Sequence, residues 1–138
     1  MDNLTVAQRS HAMRQVRSKH SSAEVFVRNL VHGMGYRFRL HEHELPGSPD
    51  LVFPARRKVI FVHGCFWHGH RCVRGMNRPS SNVGYWLAKL DGNKRRDRRN
   101  SADLRKLGWA KFVVWECQLK REAWLRKRLS DFLRGLDG

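Results

Sequence analysis

A chain of 138 residues with 41% hydrophobic content is long enough for one domain with a core of its own and too short for two comfortable ones. Its net charge of +16, from 28 Lys+Arg against 12 Asp+Glu, repels itself unless a polyanion absorbs it, which favours nucleic acid over an acidic membrane surface or a merely soluble basic protein. No apolar run approaches the roughly 20 residues of a membrane helix, and the start MDNLTVAQRSHAMRQ lacks the apolar segment of a secretory signal, so a soluble, cytoplasmic protein without a membrane partner is expected.

Residues 1–20 are polar and basic, with apolar positions (Leu4, Val6, Met13, Val16) too sparse to anchor a helix; an N-terminal arm is expected there and a single folded domain over 21–138. SSAEVFVRNLVHGMG reads as a helix: Ser21 and Glu24 fit a capping box, Val27, Leu30, Val31 and Met34 share a face, and Gly33 and Gly35 stop it. In YRFRLHEHELPG the alternation of Tyr36, Phe38 and Leu40 with basic residues predicts a half-buried strand, ended by a turn at Pro46-Gly47. PDLVF and KVIFVH are short β-rich runs separated by Pro54 to Arg57, which predicts neighbouring central strands. Val83 to Leu107 follows a helical pattern with a break near Gly92 and an end at Gly108. KFVVWEC predicts another strand, and a last helix places Leu125, Leu129, Phe132 and Leu136 on one face. Helices before and after a run of strands give an α/β fold, a three-layer sandwich around a central mixed sheet.

Chemistry concentrates in HGCFWHGHRC, residues 63 to 72. An odd count of three cysteines argues against a disulfide framework and leaves metal binding or buried thiols. Cys65, Cys72 and Cys117 with His70 offer a Cys3His set for zinc, stapling the ends of two strands; by spacing alone His68 serves as well as His70. Asp50, after Pro49 at the start of an apolar strand, is either a turn-forming residue or a ligand for a hard cation such as magnesium. If the two strands are neighbours, His63 and His68 arrive at the same edge, where a histidine can activate water or protonate a leaving oxygen. Glu24 joins them or caps its helix. Phe66 and Trp67 cannot both point into one core, so at least one is expected at the surface, placed to stack on bases or wedge between them. Trp86 adds to that wedge or packs inward, and Trp109, Trp115 and Trp124 read as core.

These blocks carry a resemblance. FVHGCFWHGHRC, with LPGSPDLVF before it and YWLAKLDGNKRRDRR and LGWAKFVVWEC after it, resembles the very short patch repair endonucleases over about Arg9 to Cys117. The resemblance implies a type II restriction endonuclease-like fold and a strand-specific nick 5′ of the thymine in T:G mismatches left by deaminated 5-methylcytosine. It implies that Asp50 binds catalytic magnesium with the backbone carbonyl of Val62, that His68 assists hydrolysis with His63 and Glu24 close by, and that His70 is the histidine on structural zinc with Cys65, Cys72 and Cys117. It further implies that Phe66, Trp67 and Trp86 enter the helix beside the mismatch, that Met13 lies in the minor groove, and that Lys89 and Asn93 contact the mismatched pair. Its implied partners are T:G duplex DNA, mismatch-repair proteins and, upstream, a cytosine-5 methyltransferase; a bacterial enzyme at the nucleoid, acting as a monomer, fits these. Three departures stand out. KVIFVHG lacks the acid that the broader nuclease superfamily places on its second strand, a lack shared with the repair family. Val62 stands where some members have threonine, and Ser48 where some have a longer basic residue.

Two rivals share the residues. One is a zinc-stapled DNA-binding module without catalysis; the other is a nuclease of the same fold with another target, such as a restriction-type enzyme. An RNA-binding protein is more distant, since basic surface and aromatics do not by themselves distinguish the two nucleic acids.

Overall fold

In the computed structural model, which describes residues 21–65, 68, 70 and 82–135, Ser21 opens helix α1 (Ser22–Gly33) as its N-cap, its hydroxyl accepting the Glu24 N–H at 3.2 Å. Only that half of the expected capping box forms, because the Glu24 side chain turns inward to Arg28 and His41. Val27, Leu30 and Val31 are buried, and the chain leaves the helix through Met34 and a left-handed Gly35 (φ +98°), a conformation glycine adopts without steric cost. The arm over 1–20, and with it Met13, lies outside the described residues, as do Phe66, Trp67, Cys72 and Leu136.

Among the described residues four strands form one mixed sheet in the order β1 (Arg39–Leu40), β2 (Leu51–Phe53), β3 (Lys58–His63), β4 (Ala110–Trp115). The first two pairings are antiparallel and β3 runs parallel to β4. The strand expected from Tyr36 shrinks to two residues. Tyr36 and Phe38 pack, half-buried, against the core beneath α1, so their alternation reports burial rather than strand pairing. Pro54–Arg56, in the stretch expected to separate the two runs, forms a 3-10 turn between β2 and β3, with Arg57 left-handed (φ 54°).

The parallel β3–β4 pair needs a long crossover, and helix α2 (Val83–Lys106) supplies it. The expected break at Gly92 does not occur. Glycine costs a helix roughly 1 kcal/mol relative to alanine, too little to interrupt a helix held down at Trp86, Leu90, Asn93 and Leu104 along its buried side. After β4 a second 3-10 segment (Glu116–Lys120) carries Cys117, which therefore lies beyond the strand rather than at its end. Helix α3 (Glu122–Arg134) closes the fold with Leu125, Leu129, Phe132 and Leu133 buried.

Leu51, Phe53, Ile60 and Val114 meet α1 and α3 on one face of the sheet, while Val52, Val59 and Phe61 meet Leu104 of α2 on the other. That is the expected three-layer sandwich. Because β2 runs against β3 and β4 runs with it, the start of β2 and the ends of β3 and β4 share one end of the sheet. Asp50, Val62, His63 and Trp115 are brought together there.

Candidate active site and metal centre

Asp50 precedes β2 behind the buried Pro49 and reaches across to β3, where its Oδ2 accepts the Val62 N–H at 2.7 Å. A strand residue's N–H and carbonyl leave on the same edge, so the Val62 carbonyl also faces the Asp50 side. Glu24, only 2% exposed, lies beside them. One of its oxygens takes both Arg28 and His41 Nε2, the latter at 2.7 Å, and donor atoms of Glu24, His41 and Asp50 all lie within 4.8 Å of one another. His41 holds a left-handed backbone (φ 50°) and donates its own N–H to the Asp50 carbonyl at 3.2 Å. Burial pushes the Asp50 carboxyl up to about 7; the Val62 amide opposes this and the Glu24 carboxylate adds to it. For Glu24, burial works against the charge, but Arg28 and His41 hold the carboxyl below its usual range.

A buried acid raised above its unfolded value is stabilised in its protonated form; that contribution is complete below the unfolded pKa of 3.8 and is lost as pH rises through about 7. Asp50→Asn keeps an oxygen for the Val62 amide and never ionises. Without divalent metal, the variant should melt above wild type at about pH 8, by on the order of a few kcal/mol, and the gap should shrink towards about pH 5. Equal melting temperatures across that range would show that Asp50 ionises at no cost.

His63 ends β3, and the His68 ring lies flat on it at 3.7 Å with 1° between planes. His68 Nδ1 is 2.6 Å from Asp97 Oδ2, a residue delivered by α2. Donating Nδ1–H to a carboxylate selects the tautomer with the lone pair on Nε2. His63 is 9% exposed. Its burial, reinforced by repulsion from His68, pushes it down to about 3, so it stays neutral, and its buried Nδ1 has no hydrogen-bond partner among the described residues. Burial opposes the charge of Asp97, but the bond and charge of His68, with smaller contributions from His63 and Lys111, together hold the carboxyl below its usual range.

These groups line a cleft of about 240 Å³ that also includes Gly47, Ser48, Asn100 and Lys111. Gly47 (φ +80°) is required on two counts: a Cβ there would stand 3.1 Å from both the Phe61 ring and the Asn100 amide. Lys111 comes from β4; burial lowers its ammonium pKa, which Asp97 offsets and Arg105 reinforces.

Next to the cleft, donor atoms of Cys65, His70 and Cys117 converge within 4.8 Å of one another. Cys117 Sγ stands 3.6 Å from His70 Nδ1, and the Cys117 N–H donates to Cys65 Sγ at 3.3 Å. Tetrahedral zinc bonds of about 2.3 Å to sulfur and about 2.1 Å to nitrogen separate those two donors by about 3.6 Å, so the three side chains fit the metal. His70 is thereby distinguished from His68, which faces Asp97 instead. Two backbone bonds, His68 N–H to Gly64 (3.2 Å) and His70 N–H to Cys65 (2.9 Å), fold the chain back onto the end of β3. The fourth sequence-derived ligand, Cys72, is outside the described residues.

Comparison with known proteins places this arrangement. A family model described as DNA mismatch endonuclease Vsr matches residues 1–74. The Type II nicking enzyme V.XorIIP of Xanthomonas oryzae pv. oryzae is 50% identical over 132 residues, 96% of each chain. The chain belongs to the Vsr family of DNA mismatch endonucleases. The Vsr endonuclease of Escherichia coli is 40% identical over 91% of this chain and 77% of its own, and the Type II nicking enzyme V.NmeAIP of Neisseria meningitidis 41% identical over 96% and 94%. The mixed sheet between helical layers is the restriction endonuclease-like fold expected of a Vsr protein.

Within this Vsr chain the residues read as catalytic, Asp50, His63, His68 and Glu24, do come together. The α2 residues read as DNA contacts are placed less directly. Trp86 is 7% exposed and Asn93 3%, with Asn93 Oδ1 accepting from Arg96; Lys89 is half-buried. Trp86 thus takes the inward alternative in this conformation, since a ring so covered cannot enter a base stack unless α2 or its surroundings shift. Trp115, expected in the core, instead stacks on His70 (4.1 Å) and meets His63 edge-on (5.1 Å), tying the Cys65–His70–Cys117 cluster to the His63–His68 pair. Sequence reasoning passed over Asp97, His41 and Lys111. Asp97 interrupts the basic run KRRDRR, the one available signal; His41 and Lys111 have none.

Proposed function

We propose that this Vsr protein nicks one strand of duplex DNA 5′ of the thymine in a T:G mismatch, using catalytic magnesium and structural zinc. The observation that carries the reading is the convergence of Asp50 and the His68–Asp97 pair in one cleft beside the Cys65–His70–Cys117 cluster. Asp50 and the Val62 carbonyl would hold magnesium, and the adjacent carboxylate of Glu24 suits the site to a cation. Magnesium there would relieve charge on the phosphate and lower the pKa of a bound water. His68 takes the attacking water's proton at Nε2 while Asp97 stabilises the resulting imidazolium. As the P–O bond to the leaving oxygen breaks, that oxygen takes a proton from solvent water and the His68 imidazolium returns its own proton to solvent. His63, neutral and flat beneath His68, fixes the plane of that ring. Glu24, locked to Arg28 and His41, sets the field at Asp50 and does not reach DNA.

The rest of the assignment follows the family resemblance: the arm with Met13 in the minor groove, Phe66 and Trp67 beside the mismatch, Lys89 and Asn93 at the mismatched pair, and Cys72 as the fourth zinc ligand. Cutting one strand at an asymmetric lesion requires no two-fold partner, so a monomer suffices. Among the described residues no helix is long and apolar enough to cross a membrane, in keeping with a cytoplasmic, nucleoid-directed enzyme downstream of a cytosine-5 methyltransferase and alongside mismatch-repair proteins.

A strand-resolved nicking assay with magnesium on T:G and matched T:A duplexes tests this. The expected product is a nick 5′ of the thymine in T:G alone, slowed by about 10²- to 10⁴-fold in His68→Ala, with Asp97→Asn reproducing part of that loss. Equal cutting of both duplexes would favour the restriction-type alternative. Tight binding with no scission across varied flanking sequences would favour the binding module.

A further inference from the structure

Lys111 is the one lysine or arginine among the described residues that line the cleft, in a chain with 28 Lys+Arg. On β4 it pairs in register with Val59, and Lys111, Val113 and Trp115 alternate onto the sheet face that α2 covers. Among the described residues its ammonium has neither an ion-pair nor a hydrogen-bond partner. Asp97, the carboxylate that acts on it, is committed to His68 at 2.6 Å, and Arg105 repels it. A polyanion entering the cleft meets the carboxylates of Asp50 and Asp97 and a neutral His63. Among the described residues it is Lys111 that is the only lysine or arginine on that wall, and no ion pair there neutralises its charge.

Its distance from the chemistry defines which phosphate it can serve. His63 pairs with Trp115, four residues beyond Lys111 along β4, about 13 Å at about 3.3 Å per residue, of which the extended lysine side chain recovers only a part. We propose that Lys111 contacts a backbone phosphate of the cut strand next to the scissile one, holding the strand in register with Asp50 and His68. Asn100 of α2, on the same cleft, adds a neutral donor. The contact reads no base, so it acts on every sequence alike.

This inference rests on the nuclease reading above. The test uses the full zinc-loaded chain as wild type, Lys111→Met and Lys111→Arg, with binding to T:G and T:A duplexes followed by fluorescence anisotropy over a KCl series without divalent cation. Loss of one phosphate contact should reduce the slope of log K against log[salt] by about 0.9 in Lys111→Met. Affinity should fall by about the same factor on both duplexes, and Lys111→Arg should restore slope and affinity. Single-turnover nicking by Lys111→Met at saturating enzyme should keep the wild-type pH profile. A wild-type salt slope in Lys111→Met overturns the inference, and so does a shifted pH profile with that slope unchanged, which would assign the ammonium to Asp97 and His68. A wild-type chain that neither binds nor cuts DNA would overturn the nuclease reading itself, and this inference with it.

Discussion

Asp50→Ala should reduce nicking of a T:G duplex by ~10³-fold or more while leaving DNA affinity within a few-fold of wild type. The carboxylate is presented by the rigid start of β2 and held by the Val62 amide at 2.7 Å. Among the described residues the neighbouring carboxylates are already committed, Glu24 to Arg28 and His41, and Asp97 to His68. The substitution removes an acid whose pKa burial has raised to about 7, which offsets the roughly 1 kcal/mol lost with the Val62 bond, so the fold should survive. Single-turnover rates at saturating enzyme, with anisotropy for binding, separate chemistry from affinity. Retained nicking would move the metal to the other donor set at this end of the sheet, His63, His68 and Asp97.

Cys117→Ser should lower bound zinc and cost several kcal/mol of stability together, because the free energy of binding a structural metal is also folding free energy. Serine nearly matches cysteine in volume, so packing changes little and the loss reports the metal. A chelator should bring the wild-type melting temperature down to that of the variant and leave the variant unmoved. Nicking should fall as well, since His68 lies on the stretch between Cys65 and His70 that the cluster anchors. Unchanged zinc stoichiometry in Cys117→Ser would remove that residue from the site.

Much of this was legible in one dimension. Short β-rich apolar runs located β2, β3 and β4, of which β2 is buried on both faces, and periodicity located α1, α2 and α3, because each helix buries a face whose apolar spacing matches its own repeat. It failed where spacing had another cause. Tyr36 and Phe38 alternate because they lie half-buried under the helical layer, not because they pair in a strand, and Gly92 weakens α2 without breaking it. Of the site, the residue types that carry chemistry in a short loop, His63, Cys65, His68 and His70, marked themselves. Asp97 was concealed in a run of basic residues, where a carboxylate reads as a solvated helix face. His41 and Lys111 acquire meaning only through what the fold places opposite them.

The sequence by itself determined the layer order, the helices that flank the sheet, the basic surface that calls for a polyanion, and the family to which the chain belongs. Those properties are local or additive, so they survive being written as a string. Residue spacing left open which histidine faces sulfur and which a carboxylate; tertiary structure decided that, together with the raising of Asp50 by burial beside Glu24, the charge held on Glu24, and the inward position of Trp86 in this conformation. Each of those depends on contacts between residues far apart in the chain, such as His68 with Asp97 or Cys65 with Cys117, and on the water that those contacts exclude.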